Sequence, residues 1–221
     1  RQFMADAAHE MRTPLTTING LLEGIEHDMI PENQKQRSIQ LMQNETRRLI
    51  RLVNENLDYE KIRSNQIILQ KQTFNAYEVL EMIVEQLEVK ANESGNELIL
   101  DCPTDLLVFA DYDRFSQIIV NIIQNAIQFT DNGKISITGY SDENESIIKI
   151  KDSGIGMSAE EVESIWERYY KADVSRKNTK YGESGLGLAI VQQLVTLHGA
   201  SVTVESLPGE GTTFTLSFPF E

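Results

Sequence analysis

Along the first part of the chain the apolar residues recur in two runs of alternating four- and three-residue steps, separated by a turn. Met4, Ala8, Met11, Leu15, Ile18, Leu22 and Ile25 form the first run, a spacing that lays a seam along one face of a helix. Residues 1 to about 29 are therefore predicted as a first helix. Pro14 lies inside it, removes one backbone donor and crowds the Glu10 carbonyl, which predicts a kink or loosened turn there. Pro31 and Asn33 mark a turn, and a second helix is predicted from about 33 to 63, with Ile39, Met42, Thr46, Leu49 and Val53 along its own seam. Two seamed helices with a short connection read as an antiparallel hairpin. A pair of helices buries little by itself, so a homodimer that completes a four-helix bundle is expected. The competing reading is a hairpin packed on its own chain.

The pattern changes near Ser64-Asn65-Gln66. Strands are predicted at Ile67 to Thr73, Glu97 to Cys102, Leu106 to Ala110, Gly133 to Tyr140 and Ser146 to Lys151. Asn144 lies in the polar turn of a hairpin. A last hairpin joins Ser201 to Glu205 with Thr212 to Phe218 around Leu-Pro-Gly-Glu-Gly. Helices are predicted at Ala76 to about Ser94, stopped by Gly95, at Asp111 to Phe129 with Asp111 as N-cap, and at Leu186 to His198, ended by Gly199. Strands and helices mix without regular parallel units, which predicts a two-layer α+β sandwich, a mixed sheet covered by helices on one face. The expected division is residues 1–64 as the helical hairpin and 65–221 as the sandwich.

Composition narrows the function. The chain has 221 residues, 40% hydrophobic, and a formal charge of −14, which opposes general nucleic-acid binding because that needs a basic surface. The single cysteine, Cys102, excludes an internal disulfide and a cysteine-based zinc cluster. No apolar run in the given sequence reaches the length of a membrane span, and none reads as a signal peptide. The chain opens at Arg1 with its first helix already in phase, so residues upstream are expected.

Several positions carry candidate chemistry. At about 100° per residue, His9 falls roughly 150° away from the first seam. It is expected to face solvent, with Glu10 beside it and Thr13 one turn on. In the helix around residue 121, Gln117, Asn121, Asn125 and Gln128 lie on one narrow stripe of an otherwise apolar surface. Asparagine is a poor helix former, so two of them there imply a polar pocket wall, and their carbonyls suit a hard cation such as Mg²⁺. Asp152 ends a strand and is followed by Gly154 and Gly156. Its carboxylate can accept a hydrogen bond from an exocyclic amine, and glycines let backbone approach a flat ligand. Lys171, Arg176, Lys177 and Lys180 form a basic island before Gly185-Leu186-Gly187 opens a helix, a place for phosphates. The plain alternative for each is a solvated face or loop. His27 and His198 lie near helix ends, where terminal roles are expected, and Trp166 is expected to pack.

Taken in order, these segments resemble the catalytic core of bacterial sensor histidine kinases of the HisKA type, joined to a Bergerat-fold ATP-binding domain of the kind also found in gyrase, Hsp90 and MutL. Ala8 to Leu15 is similar to the H box, Asn121 to Thr130 to the N box, Asp152 to Gly156 to the first glycine box, Trp166 to Tyr170 to the F box, and Gly182 to Leu188 to the second glycine box. The resemblance covers essentially the whole chain. It implies a dimeric helical hairpin followed by a sandwich of the Bergerat ATPase type. It implies His9 as phosphoacceptor, Glu10 as general base and Thr13 as the residue that orients a water when the regulator is dephosphorylated. Asn125, with Asn121, would hold Mg²⁺ and Asp152 would read adenine. Gly154, Gly156, Tyr170, Lys171, Arg176, Gly185, Leu186 and Gly187 would complete the ATP contacts, with a lid from about Lys171 to Ser184. The phosphoryl group would pass to an aspartate of a response regulator. The implied setting is the cytoplasmic portion of a membrane-anchored bacterial sensor, attached to the membrane only through upstream segments.

This chain departs from the usual family pattern at three places. Gln128-Phe129 stands where Lys-Tyr is common, Trp166 stands for phenylalanine, and Glu183 replaces a glycine. Gln128 and Glu183 motivate an alternative, a nucleotide-binding scaffold without kinase activity that signals by conformation or acts only as a phosphatase.

Overall fold

A computed structural model describes residues 2–168, 170 and 185–221. The chain divides into two compact units, Arg1–Lys61 and Ile62–Glu221.

The first unit is a helical hairpin. Helix α1 spans Gln2–Glu26, a single 3-10 turn covers Glu32–Gln34, and α2 spans Lys35–Arg63, its last residues crossing into the second unit. The helix runs through Pro14 without interruption, and the ring is buried. The connection is tight: Met29 N–H donates to the Gly24 carbonyl (2.8 Å), and Asp28 takes a positive φ of 54°. His27 lies just past the end of α1 and is exposed. The α1 seam is covered only in part. Met11, Ile18 and Ile25 are half-buried, whereas Leu15 and Leu22 are each 51% exposed. Ile39, Ile50, Val53 and Leu57 of α2 are exposed as well.

The second unit is a layered α/β sandwich. Its elements are β1 (Lys71–Asn75), α3 (Ala76–Glu93), β2 (Glu97–Asp101), β3 (Leu107–Asp111), α4 (Tyr112–Phe129), β4 (Lys134–Ser141), β5 (Glu145–Asp152), α5 (Ala159–Ser164), α6 (Gly187–Leu197), β6 (Ser201–Leu207) and β7 (Gly211–Pro219). The main sheet has strand order β2-β4-β5-β7-β6. Only β2 runs parallel to its neighbour, with Leu98 opposite Ile135. The other three pairings are antiparallel: two hairpins, with Ile137 opposite Ile150 and Val204 opposite Phe214, joined through β5 and β7 with Ile150 opposite Phe214. Alternation along the strands turns Ile135, Ile137, Ile148, Ile150, Phe214, Leu216 and Phe218 inward, and all are buried. Phe115 of α4 meets Phe218 edge to face at 5.4 Å.

Two elements differ from the sequence expectation. The first strand begins at Lys71 rather than Ile67 and pairs with β3 in a separate two-stranded sheet, Lys71 opposite Asp111. Ile68, which favoured an earlier start, is 87% exposed. A short helix, α5, was not expected. It is closed by a capping box in which the Ser158 side chain accepts from Glu161 N–H and Glu161 accepts from Ser158 N–H.

Candidate functional site

Helix α4 is the wall from which the site is built. Asp111 caps its start by accepting the Arg114 N–H (3.0 Å). Phe115, Ile118, Ile119, Ile122, Ile123, Ala126 and Ile127 are buried in the core. Asn96 ties down the other end: its amide donates to the Thr130 carbonyl (2.7 Å), and its oxygen accepts the Gly133 N–H (3.0 Å). With both ends held, the polar stripe has a fixed direction. Gln117, Asn121, Asn125 and Gln128 are all half-buried.

Three of the four stripe residues can be told apart by their partners. Gln117 accepts from the Arg114 guanidinium (2.8 Å). The Asn121 amide donates to the Gly187 carbonyl at 3.3 Å and so ties the start of α6 to α4. Asn125 makes no hydrogen bond among the described residues, so its oxygen is available as a hard donor. No cluster of three or more His, Cys, Asp or Glu side chains that could hold a metal occurs among the described residues. That donor set fits Mg²⁺, which usually takes one or two protein oxygens together with substrate phosphates rather than a full protein cage.

Asp152 ends β5 and is only 4% exposed. One carboxylate oxygen accepts the N–H groups of Gly154 (2.9 Å) and Thr212 (3.2 Å). The other has no partner among the described residues. Burial pushes the carboxyl above its usual range, against the pull of those two N–H groups. The turn after it is stapled on both sides. Ile155 N–H donates to the Phe129 carbonyl at the end of α4, and the Ile155 carbonyl accepts from Gly209 N–H in the β6–β7 turn. The two glycines are needed for this closeness. A Cβ on Gly154 would lie 2.2 Å from the Phe129 oxygen, and Gly156, at φ +67°, would place one 1.9 Å from the Leu207 oxygen. The close approach they permit is thus to the protein's own backbone.

Around this turn Ser206 Oγ accepts the Met157 N–H (2.7 Å) and lies 2.8 Å from Thr212 Oγ1. Trp166 meets Phe214 edge to face at 5.9 Å, a packing role. Gly185 has φ +78°, Leu186 is buried, and among the described residues no side-chain hydrogen bond caps the start of α6. The first-turn N–H groups of an α-helix have no partner within the helix, and such ends are a chemistry suited to anions. Tyr170 is half-buried. Lys171, Arg176 and the rest of the expected lid lie outside the described residues.

In the other unit, His9 and Thr13 are both exposed on α1, one turn apart, and Glu10 beside them is half-buried. Sequence reasoning missed Asn96, Ser206 and Thr212. Nothing local marks them, because each acts on a segment distant in the chain.

The family described as His Kinase A (phospho-acceptor) domain matches residues 1–65, and the family described as Histidine kinase-, DNA gyrase B-, and HSP90-like ATPase matches residues 110–221. The sensor histidine kinase YclK of Bacillus subtilis is 52% identical over 219 residues, which covers 99% of this chain and 46% of that protein. Among solved structures, the Acinetobacter baumannii histidine kinase AdeS superposes with a TM-score of 0.81 at 22% identity, over 96% of this chain and 98% of that one. Histidine kinase ThkA, in its complex with response regulator protein TrrA, gives a TM-score of 0.76 at 26% identity, over 100% of this chain and 61% of that one. The chain spans less than half the length of the curated relatives it matches.

Proposed function

The chain belongs to the histidine kinases, and from that premise we propose that it transfers the γ-phosphoryl group of ATP to His9 and then to an aspartate of a response regulator. The observation that carries the reading is an exposed histidine on a helical hairpin in a chain whose second unit holds a half-buried Asn125 and a buried Asp152, each with a side-chain oxygen that no described residue engages. Residues 1–64 are the dimerisation and phosphotransfer hairpin and 65–221 the ATP-binding domain.

Each residue has a role that follows from its chemistry. The unpaired oxygen of Asp152 accepts from the adenine amine, and the Gly154 and Thr212 N–H groups hold the carboxylate in that pose. Asn125, with the Asn121 oxygen, holds Mg²⁺, which neutralises charge on the phosphates. The N–H groups of the α6 start at Gly187 receive phosphate oxygens, and Gly185 and Leu186 set the turn that aims them. Tyr170, Lys171 and Arg176 complete the nucleotide contacts. The neutral His9 ring attacks the γ-phosphorus with its unprotonated nitrogen, the bond to the β–γ bridging oxygen breaks, and ADP leaves. Glu10 takes the proton from the other ring nitrogen. Thr13, one turn below, orients a water for dephosphorylation of the regulator.

The protein works as a homodimer through its hairpin, on the cytoplasmic side where ATP is found. No helix among the described residues is long and apolar enough to cross a membrane. Incubation with γ-labelled ATP and Mg²⁺ is expected to label the chain with an acid-labile, base-stable phosphate that is absent in His9→Gln. A label that survives that substitution overturns the assignment. Nucleotide binding without label under any condition points instead to a scaffold that signals by conformation.

A further inference from the structure

We propose that His198 is a positioning residue for the nucleotide, a neutral imidazole that locks the far end of α6 to the start of α4 and thereby fixes where the α6 N-terminus points. The inference rests on the reading of that N-terminus as a phosphate site.

The ring is 3% exposed and uses both nitrogens. Nδ1 lies 2.7 Å from the Leu194 carbonyl oxygen, and Nε2 lies 3.1 Å from the Asp111 backbone nitrogen. A carbonyl can only accept and a backbone N–H can only donate. Nδ1 therefore carries the proton and Nε2 the lone pair, so the geometry selects one neutral tautomer. Asp111 is the N-cap of α4. The contact thus joins the C-cap of α6 to the N-cap of the helix that carries Asn121 and Asn125.

At its other end α6 is held by the Asn121 amide on the Gly187 carbonyl. The helix has 11 residues, about 16 Å of rigid rod at 1.5 Å per residue. A rod pinned at both ends cannot pivot, whereas one pinned at a single end can. Loss of the His198 contact therefore frees the aim of the phosphate-binding end, although His198 itself touches no ligand.

The surroundings hold the ring neutral. The charged groups that face it are Lys71 of β1, whose ammonium donates to the His198 carbonyl (2.8 Å), and Asp111, whose carboxylate is already engaged by the Arg114 and Gln70 N–H groups. From β7 the Phe218 ring meets it edge on at 5.9 Å, and α6 itself offers the Leu194 carbonyl. Burial lowers the pKa, and the Lys71 charge lowers it further against the opposing pull of Asp111. Protonation at Nε2 would set a ring N–H against the Asp111 N–H, donor against donor, and the lock would open.

Three chains test this: wild type, His198→Gln, which keeps a donor and an acceptor but does not titrate, and His198→Phe, which keeps the packing alone. NMR of the full chain should show His198 as the Nδ1–H tautomer, titrating below the ordinary 6.5. From about pH 7.5 down through the titration of His198 located by that NMR experiment, the wild type should lose roughly three- to tenfold more Mg-ADP affinity than His198→Gln, the excess expected of one coupled histidine. His198→Phe should bind weakly throughout that range, with no excess loss. Equal profiles for wild type and His198→Gln, or wild-type affinity in His198→Phe, overturn the inference alone. A wild-type chain that binds no nucleotide at any pH overturns the phosphate-site reading as well.

Discussion

The Asp152 carboxylate accepts two backbone N–H groups through one oxygen, yet burial still raises its pKa. The folded state therefore holds this proton more tightly than the unfolded chain, whose carboxyl titrates near 3.8. The stability it lends is fully present below that value and is lost as pH rises through the raised folded value. At neutral pH the ionised group is a net cost that its ligand offsets. Asp152→Asn keeps an acceptor for Gly154 and Thr212, removes the charge, and turns the other atom into a donor facing the adenine amine. The expected outcome is an unchanged or higher melting temperature with nucleotide affinity about ten- to hundredfold lower, the worth of a charged hydrogen bond at about 1.5–3 kcal/mol. Melting and titration calorimetry on the same sample check both halves. A variant that melts early and still binds ATP would make Asp152 structural. Asn125 and Asp152 were legible because their residue types are out of place in local patterns, amides on an apolar helix and a carboxylate at a strand end. Thr212 and Ser206 were not, since Thr212 meets Asp152 across 60 positions and Ser206 meets Met157 across 49. Only the completed sheet brings those pairs together.

At the scale of elements, the start of α4 was legible from its cap, because Asp111 stands before an amphipathic run and accepts the N–H three residues on. The start of α3 was read from its amphipathic run alone, and the structure adds its cap, Asn75 accepting from Glu78 N–H. The β1 start was not legible, because β3 and the Asp111 carboxylate, which accepts the Gln70 N–H, select it from 41 positions away. The single parallel pairing of β2 with β4 leaves no local signature either. Helix α5 is the instructive miss. Its six residues are too few for a periodic signal, and Ser158-x-x-Glu161 was the one sign of it. That capping box holds the segment after the Asp152 turn, so Ser158→Ala should cost about 1 kcal/mol. In a unit of this size the loss amounts to a melting shift of about 2–4 °C, measurable by calorimetry, with faster amide exchange confined to α5. No shift in either measurement would mean that the box is redundant.

At the scale of the whole molecule, the hairpin carries a surface the single chain leaves uncovered. Leu15 and Leu22 sit one heptad apart on α1, each half exposed, on a helix whose Met11, Ile18 and Ile25 are better covered. A symmetric pairing of two hairpins along that line would bury both leucines in both copies, four side chains in all. Full burial of a leucine is worth about 1.5–3 kcal/mol, and each of these is already half covered, so the four add roughly 3–6 kcal/mol. A micromolar dimer needs about 8 kcal/mol, so the leucines supply a large share of what is required and neighbouring apolar side chains of the hairpin must supply the rest. Leu15→Glu combined with Leu22→Glu replaces that gain with carboxylates facing one another across the two-fold. The double variant is expected to sediment as a monomer at micromolar concentration while it still binds Mg-ATP, because Asn125 and Asp152 belong to the other unit. The hairpin that packs on its own chain predicts the opposite pattern, a wild type already monomeric and a double variant with an unchanged sedimentation coefficient. A double variant that remains dimeric would move the interface off this seam, to the exposed Ile50, Val53 and Leu57 of α2.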